Sequence, residues 1–379
     1  MKKSVFTLFL LALIAFGSNA QTIRRCNNDP NVPLGLNMYR TLQAAHDAAV
    51  ANDIIYVEPS YLQAGNNLLS YGTLTCTKTL RIIGNGHLQQ YNLTITQPWE
   101  QRESMVENIN IASGVGTILQ SLSFVGSSSI TVKAQNVTVT RCQLGSGGAI
   151  SLIRTSTSSE DASGTTISQN VFYNFPGNIN ITGTYTSASC NYTALQVQNV
   201  VIKNNINLGS INANTVYTGT CPNLPTTIPG ANNLIISNNT GIGNISQCQN
   251  CTVHSNIFIN TSTAGILNTC PGTSAAFNVC GTNPCVNGTN NVNSAVVSTI
   301  FIGGSSLNLD KSYQLSATSP AIGAGFGGVD AGAFGTNNPY RLSGLAPVPQ
   351  ITAYSQNASS GIYTTATPMS ITISVRGNN

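Results

Sequence analysis

Lys203 and His254 are the two side chains in the middle of the chain whose types suit acid–base chemistry. A lysine ammonium can hold an acidic group or, when deprotonated, accept a proton, and an imidazole can do either near neutral pH. Both residues end a short apolar segment, and alignment of these segments gives a polar column: Thr140, Ser168, Lys203, Ser237 and His254. Lys203 and His254 are therefore candidates for the base and the substrate clamp of an enzyme acting on an acidic glycan. Solvated side chains on a strand face are the simpler interpretation.

Carboxylates are scarce where such an enzyme would need them. Glycoside hydrolases use paired Asp or Glu residues, and calcium-dependent lyases use several carboxylates to hold the metal. Between residues 108 and 309 the only acids are Glu160 and Asp161, and the segment from Asn204 to Leu309 contains no Asp, Glu, Lys or Arg. The sequence therefore predicts no catalytic residues, no cofactor site and no metal site. A polysaccharide lyase or glycoside hydrolase with an atypical site is the alternative.

Ten cysteines favour structural disulfides in an oxidising compartment. Cys248-x-x-Cys251, with Cys280 and Cys285 as a second half, also has the spacing of a zinc or redox site, but disulfides are the preferred interpretation. Proximity alone suggests two pairs, Cys26–Cys76 and Cys190–Cys221. The full set of disulfide candidates is Cys26, Cys76, Cys190, Cys221, Cys248, Cys251, Cys270, Cys280 and Cys285.

Residues 1–20 have the pattern of a secretory signal peptide. Lys2 and Lys3 precede an apolar run, and Ser18-Asn19-Ala20 is a small-x-small cleavage site. The sequence thus predicts an exported chain that is periplasmic, attached to the cell surface or extracellular. No later segment is apolar for long enough to predict a membrane span after cleavage.

Composition narrows the class of protein. Only 7% of the 379 residues are charged, and the 46 asparagines outnumber the 26 charged residues. Fifteen cations spread over this length cannot make the dense basic surface that binds nucleic acid. With 41% hydrophobic residues, the chain is also not disordered through charge repulsion.

Short strands repeat with an asparagine at a fixed offset. The pattern is visible in Thr165–Asn170, Val200–Asn205, Leu234–Asn239 and Cys251–Asn256, and Val137–Cys142 has Cys142 at the asparagine position. Stacked amides can donate and accept hydrogen bonds at once, whereas stacked like charges repel each other. Asparagine also tolerates the left-handed backbone of tight turns. We therefore expect Asn170, Asn205, Asn239 and Asn256 to form a structural asparagine ladder at the turns of a solenoid.

The elements that flank these repeats are also visible in the sequence. Thr41–Val50 predicts a helix with Thr41 as its N-cap, and Ile54–Val57 predicts the strand that follows. After residue 335 the prolines increase, and Gln350–Arg376 predicts two or three further strands. The predicted organisation is a signal peptide at 1–20, a solenoid domain at 21–338, and a Pro-containing linker with a C-terminal β extension at 339–379.

These features resemble the secreted right-handed parallel β-helix proteins of the pectin-lyase-like superfamily. The resemblance rests on Thr41–Val57, on the strand-x-x-Asn repeats, and on Tyr313–Gly325 followed by Asp330–Phe334. It implies an all-β fold, a right-handed parallel β-helix with an N-terminal capping helix and a short C-terminal β extension. It does not imply one activity, because the superfamily includes lyases, hydrolases, adhesins and binding modules.

We expect a non-catalytic binding or structural protein at the cell surface or in the medium, with a glycan or another cell-surface component as its partner and no nucleic-acid partner. An ice-binding solenoid is a minor alternative. It would require a flat, regular threonine array, and the Thr138-x-Thr140 pattern does not repeat in register through the later segments.

Overall fold

The computed structural model describes residues 21–65, 67–92, 102–155, 159–173, 176–188, 191–218, 228–259, 266–281, 285, 288–307, 309–347, 349–356 and 370–376. The predicted signal peptide at 1–20 lies outside these residues. So do Cys190 and Cys221, whose predicted pairing therefore stays a prediction.

The described chain is mostly strand, arranged in long parallel sheets. Sheet 1 has eleven strands, which in spatial order are Met38–Tyr39, Ile23–Cys26, Ile54–Val57, Arg81–Ile83, Ile118–Gln120, Thr138–Thr140, Thr166–Ser168, Val201–Lys203, Ile235–Ser237, Thr252–His254 and Ser274–Ala276. Sheet 2 contains the parallel strands Leu267–Asn268, Asn244–Ser246, Leu208–Thr218, Gly177–Ala188, Ala149–Ile153, Ile130–Val132, Ile109–Ile111 and Leu74–Cys76, with Asn191–Leu195 antiparallel to Gly177–Ala188.

Shorter strands of two or three residues complete each coil of the chain. Sheet 3 comprises Met105–Val106, Ser123–Phe124, Gln143–Leu144 and Val171–Phe172, followed by Thr240–Ile242, Ile257–Phe258 and Val279–Cys280. The two parts of sheet 3 are joined through isolated bridges made by Ile206. A corner between sheets 2 and 1 contains Val197–Gln198, Ala231–Asn232 and Cys248–Gln249.

The chain passes from sheet 2 to sheet 1 to sheet 3 and then back to sheet 2, which is the path of a solenoid. Every pair of neighbouring strands in sheet 1 is parallel and in register. The predicted all-β, solenoid-like architecture is confirmed at this level. Parallel stacking places each residue one strand spacing, about 4.8 Å, from its equivalent in the next coil.

The core lies between the sheets because alternate side chains of each strand point inward. In sheet 1 the middle residue of each strand is fully buried from Ile55 through Leu119 and Ile202 to Ile236 and Val253. Each such aliphatic side chain contributes about 1.5–3 kcal/mol when it is removed from water.

The predicted helix is present at Leu42–Ala48. The Thr41 side chain accepts a hydrogen bond from the Ala44 amide at 3.2 Å, which confirms it as the N-cap. Leu42 and Ala45 are buried and belong to the same core as the first strands. Two other short helices are Gln89–Asn92 and Val297–Ile300, and the 3₁₀ turns are Asp310–Tyr313, Phe326–Gly328 and Leu342–Gly344.

The asparagine ladder is present and is longer than predicted. Each amide Nδ2 donates to the Oδ1 of the ladder residue in the next coil, at 2.8–3.3 Å, along the series Asn170, Asn205, Asn239, Asn256, Asn278 and Asn291. The amide N–H of Cys142 donates to Asn170 Oδ1 at 2.9 Å, so Cys142 begins the column. The strand Ser274–Ala276 before Asn278 and the segment 288–290 before Asn291 lack large aliphatic residues, which hid both positions from the sequence alignment.

The left-handed backbone conformation is not where we predicted it. The residue immediately before each ladder position has positive φ, and the series is Arg141, Gln169, Asn204, Asn238, Ser255, Phe277 and Asn290. We call these residues the turn column. The left-handed residue makes the turn, and the following Asn then points inward to hydrogen-bond its neighbours.

After the last coil the chain returns along the solenoid, and we call residues 326–345 the return segment. Phe326 and Gly332 donate backbone hydrogen bonds to Ser255, and Asn204 Nδ2 donates to the Ala333 carbonyl. Further along, Gln169 Nε2 donates to the Pro339 carbonyl at 2.9 Å, and Arg141 Nη1 to the Leu345 carbonyl at 2.7 Å. Turn-column side chains therefore bind the return segment in reverse coil order.

The region predicted as a linker after residue 338 begins inside this packing, since Tyr340 is buried. The last described strands, Gln350–Gln356 and Ile371–Arg376, form an antiparallel pair. Within the described residues, no helix is long and apolar enough to cross a lipid bilayer.

Candidate functional site

The polar column predicted from the sequence is present on sheet 1. Cα register pairs Thr140 with Ser168, Ser168 with Lys203, Lys203 with Ser237, and Ser237 with His254. Ser168 Oγ donates to Thr140 Oγ1 at 3.1 Å, so neighbouring members hydrogen-bond where their lengths allow. The return segment runs beside this column because it binds the turn column, one residue further along each coil.

A cleft of about 270 Å³ lies at the far end of the column. It is lined by Thr252, Val253, His254, Ser274, Ala276, Phe277 and Phe326. The first three belong to one strand of sheet 1, the next two to the adjacent strand, Phe277 to the turn column and Phe326 to the return segment. The cleft thus forms where three parts of the fold meet. Its volume is slightly below the range of about 300–1,000 Å³ that is usual for ligand pockets.

Two phenylalanine rings and the imidazole form the apolar side of this cleft. The Phe277 and Phe326 ring centroids are 5.4 Å apart and nearly perpendicular, and the His254 and Phe326 centroids are 5.9 Å apart. Edge-to-face contacts of this kind stabilise a ring arrangement by about 0.5–1.5 kcal/mol. Phe326 is nevertheless 63% exposed, so a large aromatic surface remains available to a ligand.

Phe277 differs from the rest of the turn column in its side chain, not in its backbone conformation. Its φ of 57° lies in the left-handed region, which a bulky side chain adopts only with strain. The other described turn-column residues from Arg141 to Asn290 are polar. Such strain, about 1–3 kcal/mol, is typically retained at functional sites. Here it places an aromatic ring beside Phe326.

His254 is half-buried, and its desolvation lowers the pKa of the imidazole below the ordinary value. Its Nδ1 lies 3.1 Å from Ser255 Oγ, and that hydroxyl also accepts the backbone hydrogen bond of Phe326. Burial therefore favours the neutral imidazole, and the ring is oriented by the same serine that holds the return segment.

The two sequence candidates share a column without touching. Lys203 and His254 are separated by the strand of Ser237, which corresponds to about 9–10 Å between backbone positions. General acid–base pairs act within hydrogen-bond reach of the same substrate atoms, about 2.6–3.2 Å. The structure therefore places Lys203 and His254 on one face, on strands that are not adjacent.

The single acidic pair of the middle region is engaged in ion pairs on another face. Glu160 Oε1 lies 2.9 Å from Lys133 Nζ, and Asp161 Oδ2 lies 3.7 Å from Arg154 Nε. Among the described residues, no three His, Cys, Asp or Glu side chains are arranged to hold a metal ion.

The cysteine predictions are partly confirmed. Cys280 and Cys285 form a disulfide, so these residues cannot be half of a zinc site with Cys248 and Cys251. The predicted Cys26–Cys76 pair is wrong, because both are buried free thiols. Cys26 lies on sheet 1 and Cys76 on sheet 2, and burial raises the pKa of the Cys26 thiol to about 12.

His87, which has no partner at a recognisable sequence spacing, is part of a buried network. His87 Nε2 lies 2.9 Å from the Tyr340 hydroxyl, and that hydroxyl donates to Asp310 Oδ2 at 3.1 Å. All three residues are buried, and burial lowers the pKa of His87 to about 4. Since no ligand can reach them, we interpret this network as the anchor of the return segment.

Sequence reasoning missed both aromatic residues of the cleft. Phe277 directly precedes the ladder residue Asn278, so recognising that repeat would have identified it. The repeat was missed because its strand, Ser274–Ala276, contains no large apolar residue to align. Phe326 had no signal, because only the path of the return segment brings it to the cleft.

Comparison with known proteins adds no family: no protein-family model matches the chain, and no curated protein is detectably similar in sequence.

Proposed function

We propose that this chain is an exported, non-catalytic binding protein that recognises carbohydrate at the cleft formed by His254, Phe277 and Phe326. The single observation behind the proposal is the exposed Phe326 ring, paired with a strained Phe277, at the end of a polar strand face. We further propose that the solenoid is a right-handed parallel β-helix and that the helix Leu42–Ala48 caps its first coil.

The composition of the cleft suits a sugar ring. Sugars present an apolar C–H face and an edge of hydroxyl groups, so their sites combine aromatic rings with a few polar side chains. Phe277 and Phe326 provide the aromatic surface. Thr252, Ser274 and His254 line the same, mostly apolar cleft and are its candidate hydrogen-bonding residues.

The binding role is preferred to catalysis because of the spacing of the titratable groups. The alternative, a polysaccharide lyase or glycoside hydrolase, would use Lys203 and His254, which register places two strands apart. Ice binding is less supported, since Thr138 and Thr166 pair in register but are followed in the same column by Val201 and Ile235.

Affinity electrophoresis and titration calorimetry with neutral and acidic polysaccharides would test the proposal. We expect Phe326→Ala to weaken binding at least about tenfold, which corresponds to 1.4 kcal/mol. Ile322→Ala is the matched control, because Ile322 is also half-exposed and lies outside the cleft. Equal affinities for the two variants and the parent would refute the proposed site.

The same polysaccharides, incubated with the protein and assayed for unsaturated products and new reducing ends, distinguish binding from catalysis. We expect no turnover. Turnover that is abolished by both Lys203→Ala and His254→Ala would replace the proposal with the enzymatic alternative.

A further inference from the structure

Three thiols meet at one corner of the solenoid, between sheets 2 and 1. Cys248 Sγ lies 3.3 Å from Cys270 Sγ, and the Cys251 thiol also interacts with that of Cys248. Cys248 and Cys251 are buried, and Cys270 is partly exposed. Three thiols can form only one disulfide among themselves, so the geometry must decide which pair is joined and which residue is left over.

Stacking between coils favours one pair. The Gln247 amide donates to the Asn268 carbonyl and the Asn250 amide to the Pro271 carbonyl, both at 2.9 Å, and these two bonds flank the Cys248–Cys270 contact. The two cysteines therefore belong to adjacent coils, about 4.8 Å apart. That spacing falls within the Cα separation of 4.4–6.8 Å that a disulfide requires.

Among the described residues, no cysteine is stacked on Cys251. Its amide donates to Thr273 Oγ1 at 3.2 Å in the following coil, and Leu234 precedes it in the previous one. Its thiol donates to the Gln249 carbonyl at 3.3 Å, so this sulfur already has a hydrogen-bond acceptor in the backbone. Asn250, with φ of 51°, makes the sharp turn that separates Cys251 from Cys248.

We propose that Cys248 and Cys270 are an oxidisable pair that closes into a disulfide between adjacent coils, with Cys251 remaining a thiol. The two S–H bonds are lost and one S–S bond forms, while two electrons and two protons pass to a disulfide oxidant such as oxidised glutathione, which becomes two thiols. Cys270 is the residue through which exchange begins, because it is the most exposed of the three and its interaction with Cys248 lowers its thiol pKa to about 7.

This bond would join the two coils that form the cleft. Cys248 precedes Thr252 and His254 on one coil, and Cys270 precedes Ser274 and Phe277 on the next. Oxidation would therefore fix the relative position of the two strands on which the cleft is built. The disulfide proposal does not depend on what the cleft binds.

The bond can be identified by mass spectrometry of the full chain. The protein is equilibrated in a glutathione redox buffer and then unfolded in guanidinium chloride at slightly acidic pH with excess N-ethylmaleimide, so that buried thiols are also blocked. The chain is then digested without reduction. Pepsin is needed, because there is no Lys or Arg between Lys203 and Lys311 for trypsin to cleave. The Cys280–Cys285 bond serves as an internal marker of oxidation.

We expect a crosslink between Cys248 and Cys270, with maleimide on Cys251. The crosslink should persist in Cys251→Ser and disappear in Cys270→Ser. A Cys248–Cys251 or Cys251–Cys270 bond in the wild-type chain, or maleimide on all three residues while Cys280–Cys285 stays oxidised, would overturn the proposal. Because the wild-type result decides the question alone, a variant that fails to fold does not affect it.

Discussion

The buried asparagine ladder should respond strongly to the loss of a single amide, and Asn205 is the position at which this can be measured most clearly. Its side chain is fully buried. Its Oδ1 accepts from both the backbone and the side-chain nitrogen of Asn170, each at 3.0 Å, and its Nδ2 donates to the Ile167 carbonyl at 3.0 Å and to Asn239 Oδ1 at 2.8 Å. Asn205→Ala removes all four bonds at once.

The expected cost follows from the groups left behind. Asn170 Nδ2 keeps a bond to the Val139 carbonyl, and Asn239 Oδ1 keeps the backbone amide of residue 205. The Asn170 amide N–H instead loses Asn205 Oδ1 in a site where water cannot replace it. An unsatisfied buried donor costs about 1–3 kcal/mol, and each lost bond about 1 kcal/mol. The unsatisfied donor and the three other lost bonds together should lower the free energy of unfolding of Asn205→Ala by about 4–6 kcal/mol.

Asn212→Ala is the matched control. Asn212 also stacks on an asparagine of the preceding coil, with Nδ2 3.4 Å from Asn180 Oδ1, and accepts from Ser246 Oγ at 3.3 Å. Its side chain is half-exposed and its bonds are long, so water can replace them and the expected cost is about 0–1 kcal/mol.

Urea unfolding followed by far-ultraviolet circular dichroism gives both values. A lower midpoint with an unchanged m value would show that stability, rather than the extent of unfolding, has changed. If Asn205→Ala were within about 1 kcal/mol of Asn212→Ala, the ladder would not be a major source of stability and our explanation of the asparagine content would be wrong.

Three other variants test separate parts of the structure. Burial lowers the pKa of His87 to about 4, so between about pH 6.5 and 4 the unfolded chain binds a proton that the folded chain does not. The free energy of unfolding should therefore fall by about 3 kcal/mol as the pH falls through this range. Urea unfolding of His87→Gln should show a shallower pH dependence. An equal slope in parent and variant would contradict this. Phe277→Asn should relieve backbone strain, so the free energy of unfolding in urea should stay unchanged or rise by about 1 kcal/mol. The same variant should bind the polysaccharide selected by the parent more weakly. Unchanged affinity would show that Phe277 is not part of the binding site. Tyr340→Phe removes the hydroxyl between His87 and Asp310 and should speed hydrogen exchange of the amides at 340–347, whereas unchanged exchange would show that the network does not anchor the return segment.

The periodic part of this molecule could be predicted from sequence because stacked coils repeat the same physical requirement. The offset that aligns Asn170 with Asn205 also predicted the register of Lys203 with His254, since both are properties of one repeating strand and turn. The ladder role of the asparagines was predicted for the same reason. Their backbone conformation was assigned one residue too late, because the preference of asparagine for turns does not specify which residue of the turn is left-handed.

Contacts that join distant parts of the chain had no sequence signal. His87 and Tyr340 are 253 residues apart, and only the path of the return segment brings them together. The Cys26–Cys76 prediction failed because proximity in sequence does not place two residues on the same sheet of a solenoid. Phe326 also reaches the cleft only because the return segment runs back along the solenoid.

The low charge and the proposed site have one physical origin. Each side chain lies about 4.8 Å from the side chains at the same position in the neighbouring coils. Stacked amides can hydrogen-bond to each other at this distance, whereas stacked like charges repel, so asparagine is favoured and repeated charges are disfavoured. The segment from Asn204 to Leu309 accordingly contains no Asp, Glu, Lys or Arg. A binding site needs residues that differ from this repeating polar pattern. The turn column has such a residue at Phe277, where a strained aromatic side chain stands in place of a polar one. The cleft lies at that exception, where the return segment also contributes Phe326, so the best candidate site is the place where the repeat is broken rather than the column of Lys203 and His254 as a whole.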